Sequence, residues 1–301
     1  MNRAAWITLS TAVFVLVAIG AVVLVLVGRS EPKTSVDDTP DSQQLFSLPL
    51  TEDPSALALG KHTGNVLVGL AARPGGPVEV AALRAETPIA TDALRMEIDG
   101  QPVEAQACGR GCSRVQAAVL DGSPRKLTVR AGSAAVSFAL PAELPPSGTA
   151  VFRQAQATMD ALESFRFTEN LTSGKGGLES EFDVQAPNRL RLSTESGFRS
   201  VIIGQTRWDY LDGRWERAPY PGLKVERLLM WHEARHPRVL GRRANGVVEL
   251  AAFGLQPVPA WFRLSVEPSG RVVEAEMIAA SHFMLHRYSD FNGRFTITPP
   301  R

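Results

Sequence analysis

Val272-Val273-Glu274-Ala275-Glu276-Met277-Ile278-Ala279-Ala280-Ser281-His282-Phe283-Met284-Leu285-His286-Arg287-Tyr288 is the stretch on which the reading of this chain turns. Entered from a turn at Pro268-Ser269-Gly270, it reads as one long final β-strand. Alternate residues of a strand share a face. Val273, Ala275, Met277, Ala279, Phe283 and Leu285 then make an apolar face directed at a core. Glu274, Glu276, His282, Met284 and His286 fall on the other face, open to solvent or turned towards a neighbouring domain. Imidazole with thioether is a ligand set that suits copper. His282, Met284 and His286 are therefore a candidate metal site, with the plain alternative of surface or interface histidines.

Working back from this strand, the same alternation recurs. Phe262, Leu264 and Val266 alternate with Arg263, Ser265 and Glu267, and Leu190 and Leu192 with Arg189 and Arg191. Asp212-Gly213, between Trp208 and Trp215, suits the tight turn of a hairpin. Phe152, Ala155, Met159 and Leu162 follow helical spacing, and Leu223 to His236 is predicted as a second helix with Val225, Leu228, Leu229 and His232 on one stripe. A long sheet with a few helices against one face is an α+β arrangement. Phe165, Phe167, Phe182, Trp208 and Phe283 either line a cavity for an acyl chain or fill the core. Such cavities are typically about 300–1,000 Å³ and mainly apolar.

Before Leu144-Pro145-Pro146-Ser147-Gly148, which marks a boundary, the pattern is of short strands and turns from Asn65 to Pro141. About seven strands without helical periodicity argue for an immunoglobulin-like β-sandwich. Ser30 to about Ala58 is rich in Ser, Asp, Thr, Pro and Gln and reads as a flexible tether. Ala4 to Gly28 is uncharged and mainly apolar, long enough for the roughly 20 residues that a membrane-spanning helix needs. Its length favours an uncleaved signal anchor over a cleaved leader. The expected organisation is an anchor at 1–29, a tether at 30–60, a sandwich at 61–147 and the α+β part at 148–301. A net charge of +1 and the lack of any basic run give no argument for a nucleic-acid partner.

The opening helix leading into Leu162-Glu163-Ser164-Phe165-Arg166-Phe167-Thr168, the Gly204-Gln205-Thr206-Arg207-Trp208 to Arg214-Trp215 hairpin, and Tyr288-Ser289-Asp290-Phe291-Asn292 with Ile297-Thr298-Pro299-Pro300 make Thr149 to Pro300 resemble the bacterial LolA/LppX-like superfamily of lipid and lipoprotein carriers. With the sandwich added, Asn65 to Pro300 resembles the extracytoplasmic C-terminal part of actinobacterial CopD-type copper-resistance proteins. There a YtkA/FixH-like sandwich precedes a carrier-like domain. Cys108-Gly109-Arg110-Gly111-Cys112 and the His282-Phe283-Met284 to Tyr288 run belong to that pattern. The chain departs from it in having one apolar segment instead of a multi-helix transport portion. The resemblance implies a half-barrel sheet, an extracytoplasmic location at the cell membrane, and copper or an acyl lipid as ligand.

In an oxidising compartment Cys108 and Cys112 favour a disulfide, and the glycines between them allow the turn. A C-x3-C pair also binds soft metals, so both cysteines join the candidate copper ligands. His232-Glu233-Ala234-Arg235-His236 matches H-E-x-x-H, a zinc-peptidase motif when it lies on a helix. Pro237 disfavours helical geometry at His236, and no third ligand follows at a known spacing. Neither a G-x-S-x-G elbow nor a phosphate-binding glycine loop is present. The leading expectation is a membrane-anchored, non-enzymatic protein of copper handling. An acyl-chain carrier comes second and a zinc peptidase is disfavoured.

Overall fold

The computed structural model describes residues 46–174, 176–255 and 258–301, and Leu45–Arg301 form one compact unit. The proposed anchor and most of the tether lie outside the described residues. Among those described, no helix is long and apolar enough to cross a membrane.

The N-terminal half is a sandwich of two antiparallel sheets. One contains β1 (Leu57–Thr63), β2 (Val66–Ala72), β3 (Val78–Arg84), β4 (Thr87–Pro88), β7 (Ala105–Gly109) and β8 (Cys112–Val115) in the order β1-β2-β3-β8-β7, with β4 on β3. The other contains β5 (Leu94–Ile98), β6 (Gln101–Val103), β9 (Arg125–Ala131) and β10 (Ala134–Leu140) in the order β10-β9-β5-β6. Val66, Val68, Leu70, Val80 and Ala82 face Met96, Leu127, Val129 and Phe138 across the core between them. The tether expectation fails at its end. Phe46 and Leu48 are buried, a 3-10 turn spans Pro49–Glu52, and β1 begins at Leu57. Low periodicity hid a segment whose few apolar residues anchor it: Phe46 stacks on Trp261 at 5.3 Å.

After Gly148 the chain forms helix α1 (Thr149–Asp160) and one antiparallel sheet of eleven strands. These are β11 (Ser164–Thr172), β12 (Gly177–Gln185), β13 (Arg189–Thr194), β14 (Arg199–Ile203), β15 (Thr206–Leu211), β16 (Arg214–Pro219), β17 (Arg235–Arg242), β18 (Val248–Gly254), β19 (Ala260–Val266), β20 (Val272–Ala279) and β21 (His282–Ser289). Their order is β16-β15-β14-β13-β12-β11-β21-β20-β19-β18-β17, so the last hairpin sits in the middle.

The expected final strand is that hairpin. Ala279 pairs with His282 across Ala280-Ser281, and Ser281 takes a positive φ of 57°. A two-residue turn carries the pairing on without changing face, so Ala275, Met277 and Ala279 share a face with His286, Met284 and His282. The ligand candidates are therefore on the side expected to be apolar, opposite to the sequence-based reading.

The predicted second helix is absent. Residues 223–234 run as successive i→i+3 turns (Arg227 to Lys224, Leu229 to Glu226, His232 to Leu229, Ala234 to Trp231), with a 3-10 turn at Val225–Leu228. Arg235 starts β17 and His236, before Pro237, is not helical, as that place foreshadows; its φ is 51°. Among the described residues α1 is the one α-helix, so the second half is mainly β.

The eleven-stranded sheet has an inner face, which α1 and residues 220–234 cover, and an outer face. On the outer face Phe253, Trp261, Ile278 and Phe283 meet Leu67, Ala81, Leu83 and Cys112 of the sandwich. Strands β2 and β3 are consequently buried on both sides, which explains the unbroken apolar run of β2 and the apolar run of β3 from Val80 to Leu83.

Candidate functional site

Register places Phe165, Phe167, Glu169 and Leu171 of β11 on the inner face, opposite Tyr288, His286 and Met284 of β21. Phe182 and Val184 of β12 and Leu190 and Leu192 of β13 continue the same apolar floor. Phe167 stacks on Phe182 at 4.3 Å and lies 4.7 Å from the His286 ring. From above come Phe152, Ala155 and Met159 of α1, and Trp231, which meets Phe152 edge-on at 5.7 Å. Three of the five aromatic residues expected at a cavity are thus brought together: Phe165, Phe167 and Phe182.

Trp208 and Phe283 are not with them. Both lie on the outer face, Trp208 under Arg217 and Phe283 stacked on His62 at 3.8 Å. An unnoticed turn reversed the expected face of Phe283, and sequence alternation alone did not settle the face of Trp208.

The expected copper ligands are not assembled. His286 is buried with both ring nitrogens engaged, Nε2 at 2.8 Å from Glu169 Oε2 and Nδ1 at 3.2 Å from the Tyr288 hydroxyl. His282 uses Nδ1 on the Ala280 carbonyl at 2.8 Å. Cys108 and Cys112 form a disulfide, so neither presents a thiolate. Their sulfurs and a carboxylate oxygen of Glu79 lie within 4.8 Å of one another. Glu79 is occupied, accepting from Arg114 Nη2 at 2.6 Å and the Leu50 amide at 2.9 Å. Burial raises the Tyr288 phenol far above its ordinary value, which keeps it neutral beside the His286–Glu169 pair.

The H-E-x-x-H match has no zinc-peptidase geometry. His232 lies in a turn with Nε2 3.1 Å from Asp160, His236 lies in β17, and Glu233 is exposed.

What closes the inner face is a strap of residues 220–234. One end is held where Tyr220 and Leu223 donate to the Gln205 and Gly204 carbonyls. At the other end Gln156 of α1 donates to the His232 carbonyl at 2.7 Å. Between them Leu223, Leu228, Leu229 and Trp231 are buried. Under the first end the floor turns polar. Ser200 and Asp209 are cross-strand neighbours on the inner face, and Arg207 pairs with Asp209 at 2.5 Å. Ser200 Oγ, Arg207 Nε and Asp209 Oδ1 are buried without hydrogen-bond partners. Sequence reading missed this cluster, since alternation gives a face but not what covers it.

No family model matches the sequence, and no curated protein matches it. Among solved structures the chain is similar to the lipoprotein LppX of Mycobacterium tuberculosis, with a TM-score of 0.40 and 13% identity over 50% of this chain and 100% of that one. LprF from Mycobacterium bovis gives 0.39 and 11%, covering 52% and 99% respectively. A LolA superfamily protein from Nitrosomonas europaea gives 0.26 and 11%, covering 50% and 95%. At these scores the likeness carries no argument about ligand or activity.

Proposed function

We propose that the eleven-stranded half binds an acyl chain between its inner face and the strap, on a chain held outside the cell membrane by Ala4–Gly28. The carrying observation is the way the apolar floor is closed. Eleven strands spaced about 4.8 Å apart span roughly 48 Å, whereas a helix with its side chains is about 10–12 Å across. A single helix leaves most of that width to the strap, and the strap is built from isolated turns pinned at two ends. Segments of this kind open locally at low cost, as ligand lids must.

The unpaired atoms under the strap point the same way. Each buried polar group without a partner costs about 1–3 kcal/mol, so closure of the strap is penalised at Ser200, Arg207 and Asp209. Lifting the strap hydrates them, and a ligand with a polar end satisfies them. Aromatic and aliphatic residues from β11, β12, β13 and β21 supply the apolar contact along the floor.

Native mass spectrometry of full-length protein extracted from membranes tests this directly. A co-purified acyl species is expected, displaced by a fluorescent fatty acid and lost when Leu192→Trp fills the floor. Folded protein that carries no acyl species and takes up none of the probe would overturn the proposal.

A further inference from the structure

The outer face of β14, β15 and β16 extends beyond the sandwich contact, and register fixes what it displays. Arg199, Tyr210 and Trp215 form one cross-strand row, and Val201, Trp208 and Arg217 form the next. The third row, at positions 203, 206 and 219, adds no charge. No carboxylate stands on this face of the three strands. Arg199 and Arg217 are exposed, while Trp208, Tyr210 and Trp215 are half-buried. The Arg199 guanidinium lies 3.9 Å above the Tyr210 ring and 5.7 Å from Trp215. That of Arg217 lies 6.0 Å from Trp208. Neither has a carboxylate at ion-pair distance among the described residues, although Arg191 on the next strand is paired with Asp183.

Beside Arg199 opens a groove of about 550 Å³, lined by Arg191, Trp215, Pro299 and Pro300 among others. Leu211, at the tip of the β15–β16 hairpin, is 39% exposed.

We propose that this face docks on an anionic lipid bilayer. Tryptophan and tyrosine favour the membrane–water interface, where an apolar ring and a polar edge are both satisfied. Guanidiniums without acidic partners are drawn to the negative surface of such a bilayer, with a reach limited to about a Debye length, roughly 8 Å at physiological salt. Charge complementarity therefore selects anionic over zwitterionic lipid. The bilayer is also within reach. Gly28 ends the apolar stretch and Phe46 begins the folded part, and the connecting chain spans at most about 60 Å at roughly 3.3–3.6 Å per residue. Docking does not depend on an occupied interior, so it stands or falls separately from acyl-chain binding.

The test uses the five tryptophans. Trp261 is buried between the sandwich and the large sheet, so in a full-length Trp6→Phe/Trp231→Phe protein, which also lacks the indole over the inner face, quenching by brominated lipid reports on Trp208 and Trp215. The protein is reconstituted into vesicles of phosphatidylcholine alone or mixed with phosphatidylglycerol. Quenching at least twofold stronger in the anionic vesicles is expected, reversed by high salt and lost in Arg199→Glu/Arg217→Glu. Equal quenching in both vesicles, none in either, or persistence in the folded double variant overturns the proposal. A protein partner for this face would give no quenching.

Discussion

The indole of Trp261 lies against the backbone of Gly69, so close that a β-carbon on Gly69 would sit 1.9 Å from Trp261 Cζ2. Gly60, the cross-strand partner of Gly69, has the same neighbour: its β-carbon would sit 2.6 Å from Trp261 Cβ. Gly69→Ala is expected to destabilise the protein by about 1–3 kcal/mol, the usual cost of overpacking. Trp261→Ala is expected to cost about 3–5 kcal/mol. Denaturant unfolding of the double variant should show Gly69→Ala costing much less once the indole is gone. Equal costs in both backgrounds would mean the contact is not made.

Glu169 and His286 hold each other on the inner face, both nearly inaccessible. Glu169→Leu leaves the imidazole Nε2 without its acceptor, and a loss of about 1–3 kcal/mol is expected. His286→Ala should likewise lower the melting temperature while leaving the copper content of purified protein unchanged. A loss of bound copper without a loss of stability would restore the metal reading.

Stability in acid should depend on Glu249. Hydrogen bonds from Arg263 and Arg243 hold its carboxyl below the ordinary 4.5. A carboxyl depressed by folding contributes its full stabilisation above the unfolded value and loses it as pH falls through the folded one. Glu249→Gln should therefore flatten the fall in stability below about pH 4.5. Parallel pH curves for the two proteins would refute this.

The Cys108–Cys112 bridge closes a short loop, with Cys112 buried against the outer face of the large sheet. Chain entropy for so short a loop gives about 2 kcal/mol. Reduction should lower stability by that order. It should also speed amide exchange near Ser47, whose amide donates to the Arg110 carbonyl within the loop. Exchange unchanged by reduction would show that the loop does not hold this segment.

Much of the architecture was legible. Alternation found most of the strands, Asp212-Gly213 the hairpin and helical spacing α1, because each depends on local sequence. The faces were less legible. Ala280-Ser281 carries none of the usual glycine or asparagine of a turn, so two strands read as one and every residue beyond them was assigned to the wrong side. Leu223 to His236 has helical spacing, yet its apolar residues serve a floor that wanted separate turns. Burial on both sides made β2 and β3 easy to find but concealed what lay against them. Ser200, Arg207 and Asp209 looked like ordinary strand residues until their cover was known.

Strands β2 and β3 touch two cores at once, and Arg238 of β17 donates to the carbonyls of Pro54, Ala56 and Pro145. The sandwich is thus not a detachable module. Cut at the proline-rich boundary, it would bare the surface that Trp261 covers and leave Arg238 with orphaned partners. A gene fragment encoding only one half is expected to yield aggregating protein, so recombination would have to inherit both halves together.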